Sequence, residues 1–376
     1  MTVAALGAVG LVGVGVLGAG GAFAAPAGSG SGTSAYVQPA FNRYGAYGGY
    51  GFGGGYGSYG SYDGGSTTTG TGTGTATAAG ATSAEQVGVV DIVSTLGYQN
   101  AQAAGTGMVL TSNGLVLTNN HVVAGATSLA VTVVSSGATF TATVVGTDPS
   151  ADVAVLRLAN ASRLSTATLS TSPASLGEAV TAVGNAGGTG TLSAATGTVT
   201  ALDQAITASD ESGASSEQLS GLIETDAGVQ AGDSGGPLYD AAGAIVGMDT
   251  AASSGGAVQA YAIPISTALG IATQIEQGVT STTIQQGYPA FLGVSVGDGQ
   301  GGATVQDVVF GGAADSAGIT VGDVITAVGG RSVTAAADLT AALANHSPGQ
   351  QVTVTWTDAG GSVHRATTTL GTGPAR

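Results

Sequence analysis

Three short stretches carry side chains suited to acyl-transfer chemistry. Thr118-Asn119-Asn120-His121-Val122-Val123 follows an apolar run and sets His121 at its end. Ala151-Asp152-Val153-Ala154-Val155-Leu156 sets Asp152 at the entrance of what reads as a buried strand. Gly232-Asp233-Ser234-Gly235-Gly236-Pro237-Leu238 holds Ser234 in a glycine turn just ahead of another strand. Acyl transfer needs a nucleophile, a base within hydrogen-bond reach and a carboxylate that fixes the base's tautomer. It also needs backbone N–H groups aimed at the developing oxyanion, and a glycine-rich turn lets those of Gly232 and Ser234 converge. A side chain at Gly232 or Gly235 is expected to crowd the substrate. Taken singly, a histidine is usually structural, an aspartate before a strand is a turn or cap, and Gly-x-Ser-Gly arises by chance in glycine-rich sequence. All three in the order His, Asp, Ser, each with its apolar flank, point to a catalytic triad of His121, Asp152 and Ser234.

The elements that must position these residues are short. Runs rich in Val and Thr recur at 87–93, 107–111, 115–118, 129–134, 139–145, 153–158, 179–183, 197–202, 222–225, 244–249 and 260–263, separated by Gly, Asn, Ser and Asp. Many short strands with turns between them predict an all-β sandwich or barrel. A helix over 265–277 closes this block. Residues 290–370 read as strand, strand, short helix, strands, a longer Ala-rich helix over 335–345 and two more strands, a small α+β domain. The fold class is therefore mainly β, with a domain over 85–278 and another over 288–376.

Upstream of these the composition changes. Residues 1–25 are almost wholly Ala, Val, Leu and Gly without charge, the length of a signal-peptide core or a single membrane anchor. Ala22-Phe23-Ala24 has the small-x-small pattern of a cleavage site, but no basic residue precedes the segment, so cleavage and anchoring both stay open. Residues 26–84 are Gly, Ser, Thr and Ala with interspersed tyrosines and no sustained period, which predicts a disordered spacer. The chain has 376 residues, 68 of them glycine, and 43% are hydrophobic, enough for real cores but not for compactness throughout.

There are no cysteines, so neither disulfides nor thiolate metal sites are available. His121, His346 and His364 lie far apart in sequence, and no metal or cofactor is expected. Six basic residues, all arginine, against 22 acidic ones give a formal charge of −16, which repels phosphate backbones and anionic membrane surfaces. Nucleic acid is therefore not an expected partner, and a membrane is expected only through the N-terminal segment.

The stretches "GTGMVLTSNGLVLTNNHVV", "GTDPSADVAVLRL", "AVGNAGG", "IETDAGVQAGDSGGPLYDAAGAIVGMDTA" and "YAIPI" resemble, one after another, the HtrA (Deg) family of chymotrypsin-like proteases. The resemblance implies two perpendicular six-stranded barrels with the active site between them. It implies His121 as general base, Asp152 as orienting carboxylate and Ser234 as nucleophile, with Gly232 and Ser234 supplying the oxyanion hole. One departure stands out: the family typically has Asn before the serine, and this chain has Asp233. Two readings follow, a turn aspartate that accepts neighbouring amides or a partner for a freed N-terminus, for which Val87-Gly88 is the nearest candidate. In this fold the primary specificity pocket has its base about six residues before the serine, here Gly228 between Ala227 and Val229. No acidic residue stands there, which predicts small or medium apolar residues before the scissile bond.

The C-terminal block resembles a PDZ domain. Phe291-Leu292-Gly293-Val294 matches its carboxylate-binding loop, and "AADSAGITVGDVITAVGGRSV" the segment after it. This implies capture of polypeptide C-termini, with Phe291, Leu292 and the 335–345 helix as pocket walls. The resemblance also suggests a homotrimer. Together these features predict a serine endopeptidase acting on unfolded or damaged extracytoplasmic polypeptides. Two rivals remain at the level of sequence, a binding protein or chaperone with an idle protease domain and a surface protein built on the Gly/Tyr segment.

Overall fold

The computed structural model describes residues 36–39, 79–209, 216–253 and 259–375. The segment at 1–25 lies outside them. Among the described residues no helix is long and apolar enough to cross a membrane.

The first barrel is built from β1 (Val89–Leu96), β2 (Ala101–Thr111), β3 (Leu115–Thr118), β4 (Ser128–Val133), β5 (Ala138–Asp148) and β6 (Val153–Leu158). Strand order is β5-β4-β1-β2-β3-β6, and β5 pairs back to β6 to close it. Closure leaves no open edge in the ring. The second barrel uses β7 (Ala179–Gly184), β8 (Ser193–Ser209), β9 (Ser216–Thr225), β10 (Pro237–Asp240), β11 (Ile245–Ser253) and β12 (Ala260–Pro264). Its order is β8-β9-β12-β11-β10-β7, closed by β8 against β7.

The apolar runs at 115–118 and 153–158 are unbroken because both of their faces are buried. Leu115, Leu117, Val153 and Val155 join a core that also holds Val183, Leu222, Met248 and Ile265 of the second half. Val116, Ala154 and Leu156 point the other way, into the first barrel with Ile92 and Val131. With a side-chain period of two, one strand thus serves the barrel interior and the inter-barrel seam at once. His121 and Asp152 sit at the ends of these two strands, against the seam.

The helix α1 (Ile265–Glu276) follows β12 and buries Ile265, Ala268, Ala272 and Ile275 in the seam core. Within the stretch read as a disordered spacer, two short segments are paired. Ala79–Gly80 lies antiparallel to β8, and Tyr36–Pro39 runs parallel to β8 and antiparallel to β11.

In the C-terminal domain β13 (Val294–Gly299), β14 (Gly302–Val308), β15 (Val324–Val328), β16 (Gln351–Thr357) and β17 (Val363–Thr369) form a sheet in that order. A helix at Ala336–Leu343 packs Leu339, Ala342 and Leu343 into a core with Leu292, Ile325 and Trp356. The chain then returns to the first barrel, where the Gly125 amide donates to the Ala375 carbonyl at 2.7 Å and the Ala375 amide to Ala126 at 3.0 Å.

Candidate active site

After β3 the chain passes through extended Asn119 into a one-turn helix, Asn120–Val123, that carries His121. Asp152 ends a 3-10 turn at Pro149–Ala151 with φ of 53°, a left-handed conformation that Asp tolerates better than most residues. The Asp148 side chain caps that turn, accepting from the Ser150 amide at 3.1 Å and its hydroxyl at 2.6 Å. The two ends are then tied together. Asp152 Oδ1 accepts from the His121 backbone amide at 2.9 Å, and Oδ2 lies 2.8 Å from His121 Nδ1. A third donor, Thr250 Oγ1, reaches Oδ2 at 2.5 Å, and the Asn119 side-chain amide donates to the Asp152 carbonyl at 3.0 Å. Asp152 is 1% exposed and His121 6%, so these bonds act where water does not compete. A carboxylate at Nδ1 keeps the proton there and gives Nε2 the lone pair of a base.

Ser234 lies in the second barrel, and its hydroxyl donates to the Thr250 carbonyl at 3.3 Å. Thr250 thus links all three residues, giving its hydroxyl to Asp152 and its carbonyl to Ser234. The turn that holds the serine is fastened from the first barrel. Thr106 donates its amide to the Ser234 carbonyl at 2.8 Å and its hydroxyl to the Gly232 carbonyl at 2.7 Å. The Thr118 hydroxyl donates to the Thr106 carbonyl at 2.6 Å, and the Asn185 amide to Thr106 Oγ1 at 2.9 Å. Among the described residues no acceptor is paired with the amides of Gly232 and Ser234, whereas those of Asp233, Gly235 and Gly236 donate within the turn or to Asp249. Two unengaged N–H groups one residue apart suit an oxyanion.

The glycines serve a different purpose from the one expected. At Gly232 (φ 100°) a Cβ would stand 2.2 Å from the Asn185 carbonyl oxygen, and at Gly235 (φ 84°) 2.2 Å from that of Thr106. Side chains there would strike the protein's own backbone rather than crowd a substrate. Gly235→Ala should cost the turn its shape, lowering activity by more than about a hundredfold together with several degrees of melting temperature, as read by peptide turnover and thermal unfolding.

Asp233 accepts from the Gln230 amide at 2.8 Å through Oδ2, as a turn aspartate does, while Oδ1 is buried without a partner. Burial pushes its carboxyl up to about 7, with the Gln230 amide pulling the other way. Behind it Asp249 is fully enclosed, both oxygens unpartnered, and burial followed by the Asp233 charge raises its carboxyl well above the usual range. Val87-Gly88 ends a turn over 83–88 that leads directly into β1, and Gly88 packs on the backbone of Ala167. Gly228 is half-buried between Ala227 and Val229, both part of the apolar interior of the second barrel.

The loop at 291–294 differs in detail from its expected use. Leu292 and Val294 are each 1% exposed and belong to the domain core, and the Phe291 ring meets Tyr98 of the first barrel with centroids 5.3 Å apart. Gly293 has φ of 82°, and its carbonyl accepts from the Val309 amide. The side chains are occupied, which leaves backbone groups for any ligand. The strand that follows, β13, pairs only with β14 among the described residues. Thr106, Thr250 and Asp249 have no counterpart in the sequence reading.

The fold and site define a trypsin-like barrel peptidase domain joined to a PDZ domain, and comparison with known proteins agrees. Residues 105–248 match the trypsin-like peptidase domain and residues 290–363 the PDZ domain. The chain is 37% identical over 269 residues to a "Probable periplasmic serine endoprotease DegP-like" of Bartonella henselae, covering 67% of this chain and 50% of that one. It is 33% identical over 299 residues to "Serine protease PepD" of Mycobacterium tuberculosis, 75% of this chain and 63% of that one. It thus spans about half the length of the DegP-like relatives it matches. A solved structure, "HtrA-type protease AlgW with tripeptide", is 26% identical with a TM-score of 0.44, covering 78% of this chain and 97% of that one. Its two domains and its DegP- and PepD-named relatives support a serine protease of the HtrA family.

Proposed function

We propose that the chain is a serine endopeptidase that hydrolyses unfolded or damaged polypeptides outside the cytoplasm. The observation that carries this reading is the buried Asp152 carboxylate, which holds His121 Nδ1 while Thr250 ties it to Ser234. In the reaction the Ser234 hydroxyl turns from the Thr250 carbonyl to His121 Nε2 and adds to the substrate carbonyl carbon. His121 takes the hydroxyl proton and Asp152 stabilises the imidazolium. The amides of Gly232 and Ser234 receive the oxyanion, a contribution of about 3–4 kcal/mol for a single donor in such sites. His121 then gives the proton to the departing amine, and water hydrolyses the acyl-enzyme by the same steps. A fluorophosphonate probe should label the protein, and Ser234→Ala should abolish labelling. An unlabelled native protein would mean an idle protease domain and favour the binding-protein reading.

The pocket should select by size. With Gly228 at its base and Ala227 and Val229 beside it, cleavage of unfolded casein should follow Ala, Val or Leu, with loose discrimination of about 10- to 200-fold per methylene. A majority of cuts after Lys or Arg would overturn this assignment.

The PDZ domain serves as a substrate or regulator dock. A peptide adding beside Val294–Val296 extends the sheet past β13, and the turn at Gly293 offers backbone amides to its terminal carboxylate. Full-length protein should therefore bind an apolar-ended peptide at least about tenfold tighter than its amidated twin, measured by fluorescence anisotropy with the Ser234→Ala variant. Equal affinities would remove the carboxylate cradle.

A further inference from the structure

The mechanism leaves two buried carboxyls unused, and both are fastened to the turn that carries the nucleophile. Asp249 is 0% exposed and Asp233 3%, and no protein donor reaches Asp233 Oδ1 or either side-chain oxygen of Asp249. Their backbones are pinned. The Asp249 carbonyl accepts the Gly235 amide at 2.8 Å, and its amide donates to the Gly236 carbonyl at 2.9 Å. The Asp233 amide donates to the Gln230 carbonyl at 3.0 Å, and its carbonyl accepts the Gly236 amide at 2.8 Å. On the β7 side there is no slack, since a Cβ on Gly184 would stand 2.4 Å from the Asp233 Cα.

Three unpartnered carboxyl oxygens in one dry site cannot all carry charge. An ionised carboxylate without donors loses its hydration and receives nothing in exchange, and a second one beside it adds repulsion. No cation relieves them. The groups turned toward the pair are Gly184 from β7, the neutral Gln230 amide and, beside Gly236, the Thr106 side chain from β2. Among the described residues neither carboxyl forms an ion pair with arginine or histidine. One of the two must therefore keep a proton. If both lose it, Asp233 is the one free to turn, because Asp249 is locked within β11. The Ser234 N–H belongs to the Asp233–Ser234 peptide, so turning Asp233 swings that donor off the point it shares with Gly232. We propose that Asp233 and Asp249 are positioning residues for the oxyanion donors, and that the turn keeps its catalytic shape only while the pair holds a proton.

This rests on the endopeptidase reading of Ser234. Asp233 releases its proton first, at about 7. Asp249, raised well above the usual range by burial and then by the Asp233 charge, keeps the last one. The turn therefore fails on the alkaline side, whereas the acid limb of the rate belongs to His121.

The experiment follows kcat and KM for a chromogenic peptide between pH 6 and 10 in the full-length protein and in Asp249→Asn, Asp233→Asn and Asp91→Asn. Native kcat should fall at least about tenfold from pH 7.5 to 10, reversibly and with KM little changed, because oxyanion donors act in the transition state. Asn at 233 or 249 removes one of the two ionisations, so each variant's rate at pH 10 should stay within about twofold of its own rate at pH 7.5. Asp91, buried on β1 against Gly190 and raised to about 6, is the control, and Asp91→Asn should retain the native fall. A native kcat that stays level to pH 10 would overturn the proposal, and so would an undiminished fall in either folded Asn variant. A fall not recovered on return to pH 7.5 would mean unfolding and would count against it equally. Thermal unfolding shows which variants fold, and if one of the pair does not, the other decides. A protein that no fluorophosphonate labels at any pH would instead remove the endopeptidase reading and the proposal with it.

Discussion

Ser234→Ala and His121→Ala should each lower turnover of a peptide substrate by about 10⁴–10⁶, and the double variant should be scarcely slower than either one. The expectation follows from the way the groups are joined. The hydroxyl gains nucleophilicity only by passing its proton to the imidazole, so once one partner is lost the other has nothing to act on. Asp152 should behave similarly but less severely, because the oxyanion donors and substrate contacts survive its removal. Single-turnover kinetics on a chromogenic peptide give the measurement, and losses that multiply in the double variant would refute a shared mechanism. Thr250→Val offers a finer probe. It deletes the hydroxyl that Asp152 accepts at 2.5 Å but keeps the carbonyl facing Ser234, so kcat should fall while KM stays near its starting value.

The second large effect is on stability and its pH dependence. The Asp233 carboxyl is raised to about 7 by burial, and that of Asp249 behind it is raised well above the usual carboxylate range by its enclosure and by the Asp233 charge. In the unfolded chain both titrate near the ordinary value of 3.8. Below that value both states hold their protons and the folded protein carries no penalty. As pH rises from about 4 to about 7 the unfolded chain releases the Asp233 proton while the folded one retains it, so the Asp233 contribution lowers stability through that window. At about 1.4 kcal/mol per pKa unit the loss is on the order of several kcal/mol. Asp233→Asn, an amide that still accepts from Gln230, should remove much of it. The urea midpoint of this variant should rise clearly at pH 8 and hardly move at pH 4.5. Asp91, raised by burial to about 6, titrates in the same window, so a residual slope is expected. A midpoint that drops equally at both pH values would mean that the charge carries no penalty.

Much of this was legible in the sequence, for physical reasons that also explain the gaps. His121 and Asp152 end strands buried on both faces, so their apolar flanks appear as unbroken runs. The helix expected over 265–277 ends one residue earlier, and the one expected over 335–345 is shorter at both ends, since helix termini depend on caps that periodicity does not reveal. The run expected at 107–111 is an eleven-residue strand. Its earlier half, Ala101-Gln102-Ala103-Ala104-Gly105, is mostly Ala and Gly, and a Cβ on Gly105 would meet the Val122 side chain at 2.6 Å. The hairpin of β8 and β9 extends well beyond the apolar runs at 197–202 and 222–225, where Ile206, Ala208 and Leu219 are buried but stand isolated among Thr, Ser, Asp and Gln. Thr250 was invisible for another reason: it lies 98 residues from the carboxylate it serves, and a threonine after an aspartate announces nothing.

The bonds from Thr106 to the serine turn have a consequence in time as well as in space. The hydroxyl that holds Gly232 comes from 126 residues earlier in the chain, on the opposite barrel. Contacts of such separation form late, because the intervening chain must be ordered before they return any free energy. The nucleophile turn is therefore among the last parts of the peptidase domain to take shape during synthesis and folding. A half-folded chain, surrounded by other unfolded chains and exposing its own cuttable segments, has no formed site with which to cut them. Topology alone delays the blade until both barrels have docked.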